Sequence, residues 1–204
     1  MTPHSRLAVA SAIAWLAFSL AGCIGLSLNT QERSLGHAVD DFNTQAELNA
    51  RLLGESASLF ANVSTTVIEG RVHLSGTVPT QEERIKATRL AWATPNVKEV
   101  DNDIDVSDES DLFDAARDRW ISAQVRARIL GDGSIHDVNY TIDTQNQVVY
   151  ILGIAQDQGE LDRVVAHARA VPEARRVVNH ALLKDDPRRF GKLGRFEQPE
   201  SGAE

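Results

Sequence analysis

The chain has 204 residues, with 21 basic and 29 acidic side chains and a formal charge of −8. Such an acidic balance gains nothing from nucleic-acid phosphates, so attraction to any anionic surface must come from a local basic patch. Its single cysteine excludes an internal disulfide in any compartment, and its length suits one ordinary domain or two small ones.

In chain order, the first feature is an apolar run from Leu7 to Leu20 behind a short polar start holding His4 and Arg6. The run is shorter than the ~20 residues a membrane-crossing helix needs and fits the apolar region of an export signal. Leu20-Ala21-Gly22-Cys23 follows and resembles the lipobox of bacterial lipoproteins, with Cys23 as the acylated residue. Cleavage before Cys23 leaves 204 less 22, or 182 residues, and removes Arg6, bringing the charge near −9. Several acyl chains on one terminus anchor stably where a single chain does not. Ile24, where an Asp in known lipoproteins favours inner-membrane retention, points to the outer membrane. The expected organisation is a signal peptide over 1–22, a lipidated linker over 23–40, domains over 41–107 and 117–184, and a disordered, polar tail over 185–204.

Both domains obey one offset of 77 positions, which pairs Gly76 with Gly153, Pro95 with Pro172, Asn62 with Asn139 and Val72 with Val149. It also pairs Ala50-Arg51-Leu52-Leu53-Gly54-Glu55 with Ala127-Arg128-Ile129-Leu130-Gly131-Asp132. A gapless offset across helix-like and strand-like stretches marks a duplication. In each unit a first helix carries a core stripe at helical spacing: Thr44, Leu48 and Leu52, then Ile121, Val125 and Ile129. Two strands follow, over 61–68 and 71–78 with a turn at Glu69-Gly70, and over 138–144 and 147–155 with a turn at Gln145-Asn146. A second helix keeps Leu161, Val164, Ala168 and Val171 on one face, and Pro95 and Pro172 end these helices. The last strand alternates Val100, Asn102, Ile104 and Val106 with Asp101, Asp103 and Asp105. The order α-β-β-α-β gives an α+β fold in which a small three-stranded mixed sheet packs on two helices. Gly76 and Gly153 are expected at strand-end turns, where glycine tolerates positive φ or a close backbone approach.

Val72-His73-Leu74-Ser75-Gly76-Thr77-Val78 and Val149-Tyr150-Ile151-Leu152-Gly153-Ile154 carry a resemblance. Each is followed by a charged helix, a proline and a Val-x-x-Val-x-Asn stretch (Val97, Val100, Asn102), with Ala174 departing from it in the second copy. With the lipobox, Arg33-Ser34-Leu35-Gly36-His37-Ala38-Val39-Asp40-Asp41 and Asp118-Arg119-Trp120-Ile121, the chain resembles the DolP/YraP-like family of dual BON-domain outer-membrane lipoproteins over residues 20–184. The resemblance implies a non-catalytic envelope protein, held on the periplasmic face of the outer membrane of a Gram-negative bacterium. It also implies that the second domain binds anionic phospholipid through its first helix and helps maintain membrane integrity.

The residues support this reading on their own terms. On a helical wheel, Arg117, Trp120, Gln124 and Arg128 fall on a stripe beside the core positions, and two guanidiniums flanking an indole suit a phosphate-rich interface. The first domain places Asp40, Asn43, Glu47 and Arg51 there, with two carboxylates and no aromatic. Arg119 and Arg126 fall on the far side of the wheel. The alternatives are that Trp120 packs between the domains with Arg117 and Arg128 paired to Asp114 or Asp132, and that the chain is a lipid-tethered scaffold for an envelope protein partner. A soluble stress protein is a third, which requires an unused lipobox. No catalytic motif, nucleotide-binding loop or cofactor signature stands in the chain. His37, His73, His136, His167 and His180 lack metal-ligand spacing on one helix, and the Asp101 to Asp111 run lacks the glycine and glutamate of a calcium loop.

Overall fold

The structure is a computed structural model describing residues 35–107 and 112–190, which belong to one compact unit, Glu32–Glu204. The expected export signal over 1–22, Cys23, Asp108 and Asp111 lie outside the described residues. No helix among the described residues is long and apolar enough to cross a membrane.

The first domain runs α1 (Leu35–Glu55), α2 (Ala57–Asn62), β1 (Val63–Ile68), β2 (Arg71–Val78), α3 (Gln81–Trp92) and β3 (Glu99–Val106). The second runs α4 (Leu112–Leu130), a 3-10 turn (Asp137–Asn139), β4 (Tyr140–Gln145), β5 (Val148–Ala155), α5 (Gln158–Arg169), β6 (Arg176–Asn179), β7 (Leu182–Leu183) and α6 (Pro187–Phe190). Adding 77 to the bounds of β1, β2 and α3 returns those of β4, β5 and α5 without a slip. Both sheets are mixed: the hairpin pair is antiparallel, and the strand after the second helix returns parallel to the middle strand. That return is the crossover a parallel neighbour requires.

Side chains alternate across the middle strands and so divide two cores. Val72, Leu74 and Val78 point to α1 and α3 and join Leu48, Leu52, Ala87 and Ile104. Val149 and Ile151 join Ile121, Val125, Ile129, Leu161 and Val164. The expected core stripes are buried in both copies, including Thr44. Each second helix is capped in the same way: Thr80 accepts from the N–H of Glu83, and Asp157 from that of Glu160.

Several expectations change. The first domain has a three-stranded sheet, whereas the second has four strands, because its last strand is broken after Asn179. The ladder against β5 pairs Ile151 with Asn179, skips two positions and resumes, in unchanged register, at Ile154 and Leu182. The second hairpin turns at Asn146-Gln147, both at positive φ, rather than at Gln145-Asn146. Helix α1 begins at Leu35, inside the expected linker, and α6 carries order to Phe190, inside the expected disordered tail. The cause at that end is Arg189, whose guanidinium bonds both carboxylate oxygens of Glu69 at 2.9 and 2.8 Å.

Gly76 and Gly153 sit within their strands rather than at strand-end turns, and the reason is steric. Their φ values are +125° and +139°. A Cβ at either would lie 2.1 Å from a backbone oxygen, that of Asn62 or Asn139, the residue just before the paired strand. Positive φ and a close-running neighbour therefore coincide at both positions.

Candidate functional site

Helix α4 is positioned from beneath and from its start. Ile121, Val125 and Ile129 are at most 2% exposed and fasten it to the sheet. Near its start the buried Asp118 carboxylate accepts from the N–H groups of Asn146 and Gln147, both at 2.8 Å. Asp41 does the same on α1 for Glu69 and Gly70. A carboxylate pairing with two turn amides neutralises donors that the tight turn would otherwise bury.

Of the four expected site residues, Trp120 is 61% exposed, Arg117 and Arg128 are exposed, and Gln124 is half-buried with its amide 3.4 Å from Glu173. Trp120 is not part of the apolar domain contact, which consists of Ile68, Tyr150 and Leu152 with Val148 and Val178 beside them. The Asp132 carboxylate bonds His167 at 2.9 Å and the Ser134 N–H, and the Asp114 side chain lies outside the described residues. The wheel reading missed the ridge that points furthest outward. Ala116, Trp120, Ala123, Ala127 and Leu130 are all exposed, Leu130 by 71%, and lie opposite the Ile121–Val125–Ile129 stripe. The signal was in the same wheel, half a turn from the core. Arg117 and Arg128 flank this ridge on one side, and Arg119 and Arg126 on the other. The latter two line an open cleft of 560 Å³ that also touches Asn62, Ser122 and Asp143. Arg126 is steadied there by donating to the Ile142 carbonyl at 2.7 Å.

On α1 the counterpart ridge is Val39, Asn43, Ala46, Ala50 and Leu53, with Phe42 beside it at 72% exposure. Its flanks are Asp40 and Glu47, and Arg51 is drawn into an i,i+4 pair with Glu47 at 2.7 Å.

The second constellation lies between the sheets. The faces turned away from the helices meet each other, and here repeat counterparts touch. His73 lies against Tyr150 with ring centroids 4.8 Å apart, and Asp103 bonds His180 at 2.7 Å. Both pairs are separated by 77 positions, so the domains are related by a pseudo-two-fold axis on which residues meet their own copies. Around it, Arg71 bonds Glu99 and Asp101 and reaches the His180 carbonyl. Ser75 donates to Asp143, and Asn146 to Thr77 and Asp105. The Asp101, Asp103 and Asp105 face is thus turned inward between the domains. Burial raises the Asp103 carboxyl, but hydrogen bonds from His180 and His73 outweigh it and hold the group well below the usual carboxylate range. Burial, with Asp103 and Asp105 nearby, pushes the Tyr150 phenol up to about 12.

A model of the BON domain matches residues 40–108 and again residues 117–185. The chain belongs to the BON-domain family. Among relatives of this two-BON chain, an uncharacterized protein in the gshII 5′ region of Anaplasma centrale is 40% identical over 147 residues, 72% of this chain and 96% of that protein. The outer membrane lipoprotein DolP of Haemophilus influenzae is 27% identical over 67% of this chain and 72% of its own length. Osmotically-inducible protein Y of Escherichia coli is 24% identical over 78% and 81%. The C. trachomatis type III secretion protein CdsD overlaps 70% of this chain and 63% of its own, at a TM-score of 0.29 and 17% identity, too low to carry an argument.

Proposed function

We propose that this chain is a lipid-anchored protein of the Gram-negative envelope, tethered to the outer membrane through Cys23, whose second BON domain docks on anionic phospholipid and supports membrane integrity. The observation that carries the reading is the outward ridge of α4, with Trp120 61% exposed between two pairs of arginines. An indole at the headgroup level with guanidiniums on either side gains from both the apolar and the anionic layers. Each arginine near such a surface is worth about 1 kcal/mol, a sum that salt weakens. The acyl tether raises the effective concentration, so a weak headgroup contact suffices. A relative named as an outer membrane lipoprotein and the lipobox around Cys23 support the same placement.

Liposome co-sedimentation of a Glu32–Glu204 fragment tests it. The fragment is expected to pellet with anionic but not zwitterionic vesicles, and Trp120→Ala and Arg128→Glu to release it. A fragment that stays in the supernatant with every lipid sinks the reading.

One observation favours a second reading, a scaffold for an envelope protein. The α1 ridge exposes Val39, Phe42 and Leu53 beside Asp40 and Glu47, a combination that anionic lipid would repel but a basic protein surface would accept. If this reading holds in place of the first, Phe42→Ser changes envelope phenotypes while Trp120→Ala does not.

A further inference from the structure

We propose that His73, Asp103 and His180 form a site for a divalent transition-metal ion, with zinc as the matching probe, that bridges the two BON domains. The three side chains come from β2, β3 and the break after β6, so the first domain supplies two ligands and the second supplies one. Their ligand atoms all lie within 4.8 Å of one another. His73 Nε2 is 3.2 Å and His180 Nε2 2.7 Å from the same oxygen, Asp103 Oδ2. Ligand atoms about 2.0–2.2 Å from a tetrahedral zinc stand roughly 3.3 Å apart, so the His73 contact already fits, the His180 contact opens by about half an ångström, and the two imidazole nitrogens, within 4.8 Å of each other, draw in toward the ion. Two imidazoles and a carboxylate are a donor set that suits zinc and neighbouring first-row ions, and not calcium or magnesium, which take oxygen ligands.

Two further observations point the same way. His73 is 1% exposed, and the ring nitrogen it turns toward Asp103 is Nε2, so a buried imidazole is already aimed into the site. The surroundings also carry an excess of negative charge. Glu99, Asp101, Asp103, Asp105 and Asp143 stand along this face and outnumber the arginines near it, Arg71, which is taken by Glu99 and Asp101, Arg176 beside Tyr150, and Arg188, which is paired to Asp186. Among the described residues, the hydrogen bonds to the Asp103 carboxylate come from the two imidazoles. A dication at this point offsets the surplus where the dielectric is low. A cavity of 10 Å³ bordered by Ile68, Arg71, His73, Asp101, Leu152 and His180 adjoins the cluster. That is about the volume of one probe sphere, room for a single water as the fourth ligand.

The test uses the full chain, tag-free in detergent, stripped with chelator and titrated with zinc chloride or cobalt chloride. Micromolar zinc is expected to raise the melting temperature by about 5 °C, as a ligand bound only to the folded state does. Cobalt is expected to give the visible absorption of a low-coordinate nitrogen- and oxygen-ligated ion, while magnesium and calcium do nothing. His180→Ala and, separately, Asp103→Asn are expected to remove both responses. The cobalt spectrum of the unmodified chain needs no variant to fold. An unchanged melting temperature together with a featureless cobalt spectrum overturns the site, as do responses that survive in His180→Ala.

Discussion

In the first domain the middle strand sets Arg71, His73 and Ser75 toward its neighbour; in the second, the same positions hold Val148, Tyr150 and Leu152. On the returning strand, Asp101 and Asp103 are matched by Val178 and His180. Helix for helix, Asp40 and Asn43 are matched by Arg117 and Trp120. The inner stripes meanwhile stay buried in both copies, apolar throughout except for Thr44. The difference shows where a duplicated domain is free to change: core positions are pinned by packing density, and faces are pinned only by what they touch. On a pseudo-two-fold axis a residue must tolerate its own copy unless one of the two changes. Two aspartates at the Asp103 position would face each other, and His180 turns that repulsion into a 2.7 Å bond.

The sharpest way to break the comparison is at a device both domains share without alteration. Gly76→Ala and Gly153→Ala each force a Cβ against a carbonyl oxygen at strongly positive φ. Each is expected to cost roughly 4 kcal/mol, strain and overpacking together, in urea denaturation followed by circular dichroism. A cost confined to one of them means that the copies no longer depend equally on that approach.

Next is a contact with no counterpart in the repeat. Glu69 and Arg189 are 7% and 8% exposed, and removing one partner strands the other. Arg189→Ala is expected to cost about 3 kcal/mol, and the double variant with Glu69→Gln less than the sum of the two. Burial raises the Glu69 carboxyl, but Arg189, then His37 and Lys98, bring it below its usual value. A depressed carboxylate contributes stability above its unfolded value of about 4.3 and loses it as pH falls through the folded one. The wild type should therefore weaken on acidification below about pH 4.3 more steeply than Glu69→Gln, and parallel pH profiles of the two would refute the pairing.

The turn clamps come third. Asp41→Ala and Asp118→Ala each leave two turn amides without an acceptor, and about 2 kcal/mol is expected from each in thermal melts. A smaller loss from Asp118→Ala than from Asp41→Ala would show that the clamp holds the helix with the basic flanks less firmly than its copy.

Smallest of all, Trp120→Ala should change stability by no more than about 0.5 kcal/mol, since the side chain is mostly exposed. A larger loss in the melting curve would mean that the indole serves packing rather than a bilayer.

Much of the fold was legible because packing repeats locally. The Ile121–Val125–Ile129 stripe and the 77-residue offset both follow from one helix covering one sheet, twice. The broken last strand was not legible, since the interruption after Asn179 leaves the hydrophobic pattern intact. Nor was the role of Asp101, Asp103 and Asp105. Period-two alternation says that one face differs from the other, not what covers it, and here a second sheet takes the place of water. His73 and His180 are 107 positions apart on different elements, so no spacing rule joins them. Glu69 and Arg189 are 120 apart and escape for the same reason. Of the candidate helix site, the basic flanks were readable on a wheel, but the Ala116, Ala123, Ala127 and Leu130 ridge was passed over because small residues carry little signal individually.

The sheets meet through the faces that their own helices leave bare, so the layers run helix, sheet, sheet, helix. The two first helices consequently look out from opposite sides of the unit. Whatever α4 rests against, the Val39, Phe42 and Leu53 ridge of α1 is directed away from it. A body of this kind is bivalent by construction. It can lie on one surface and still present a second, differently charged face to whatever stands across the gap, without either helix having to move.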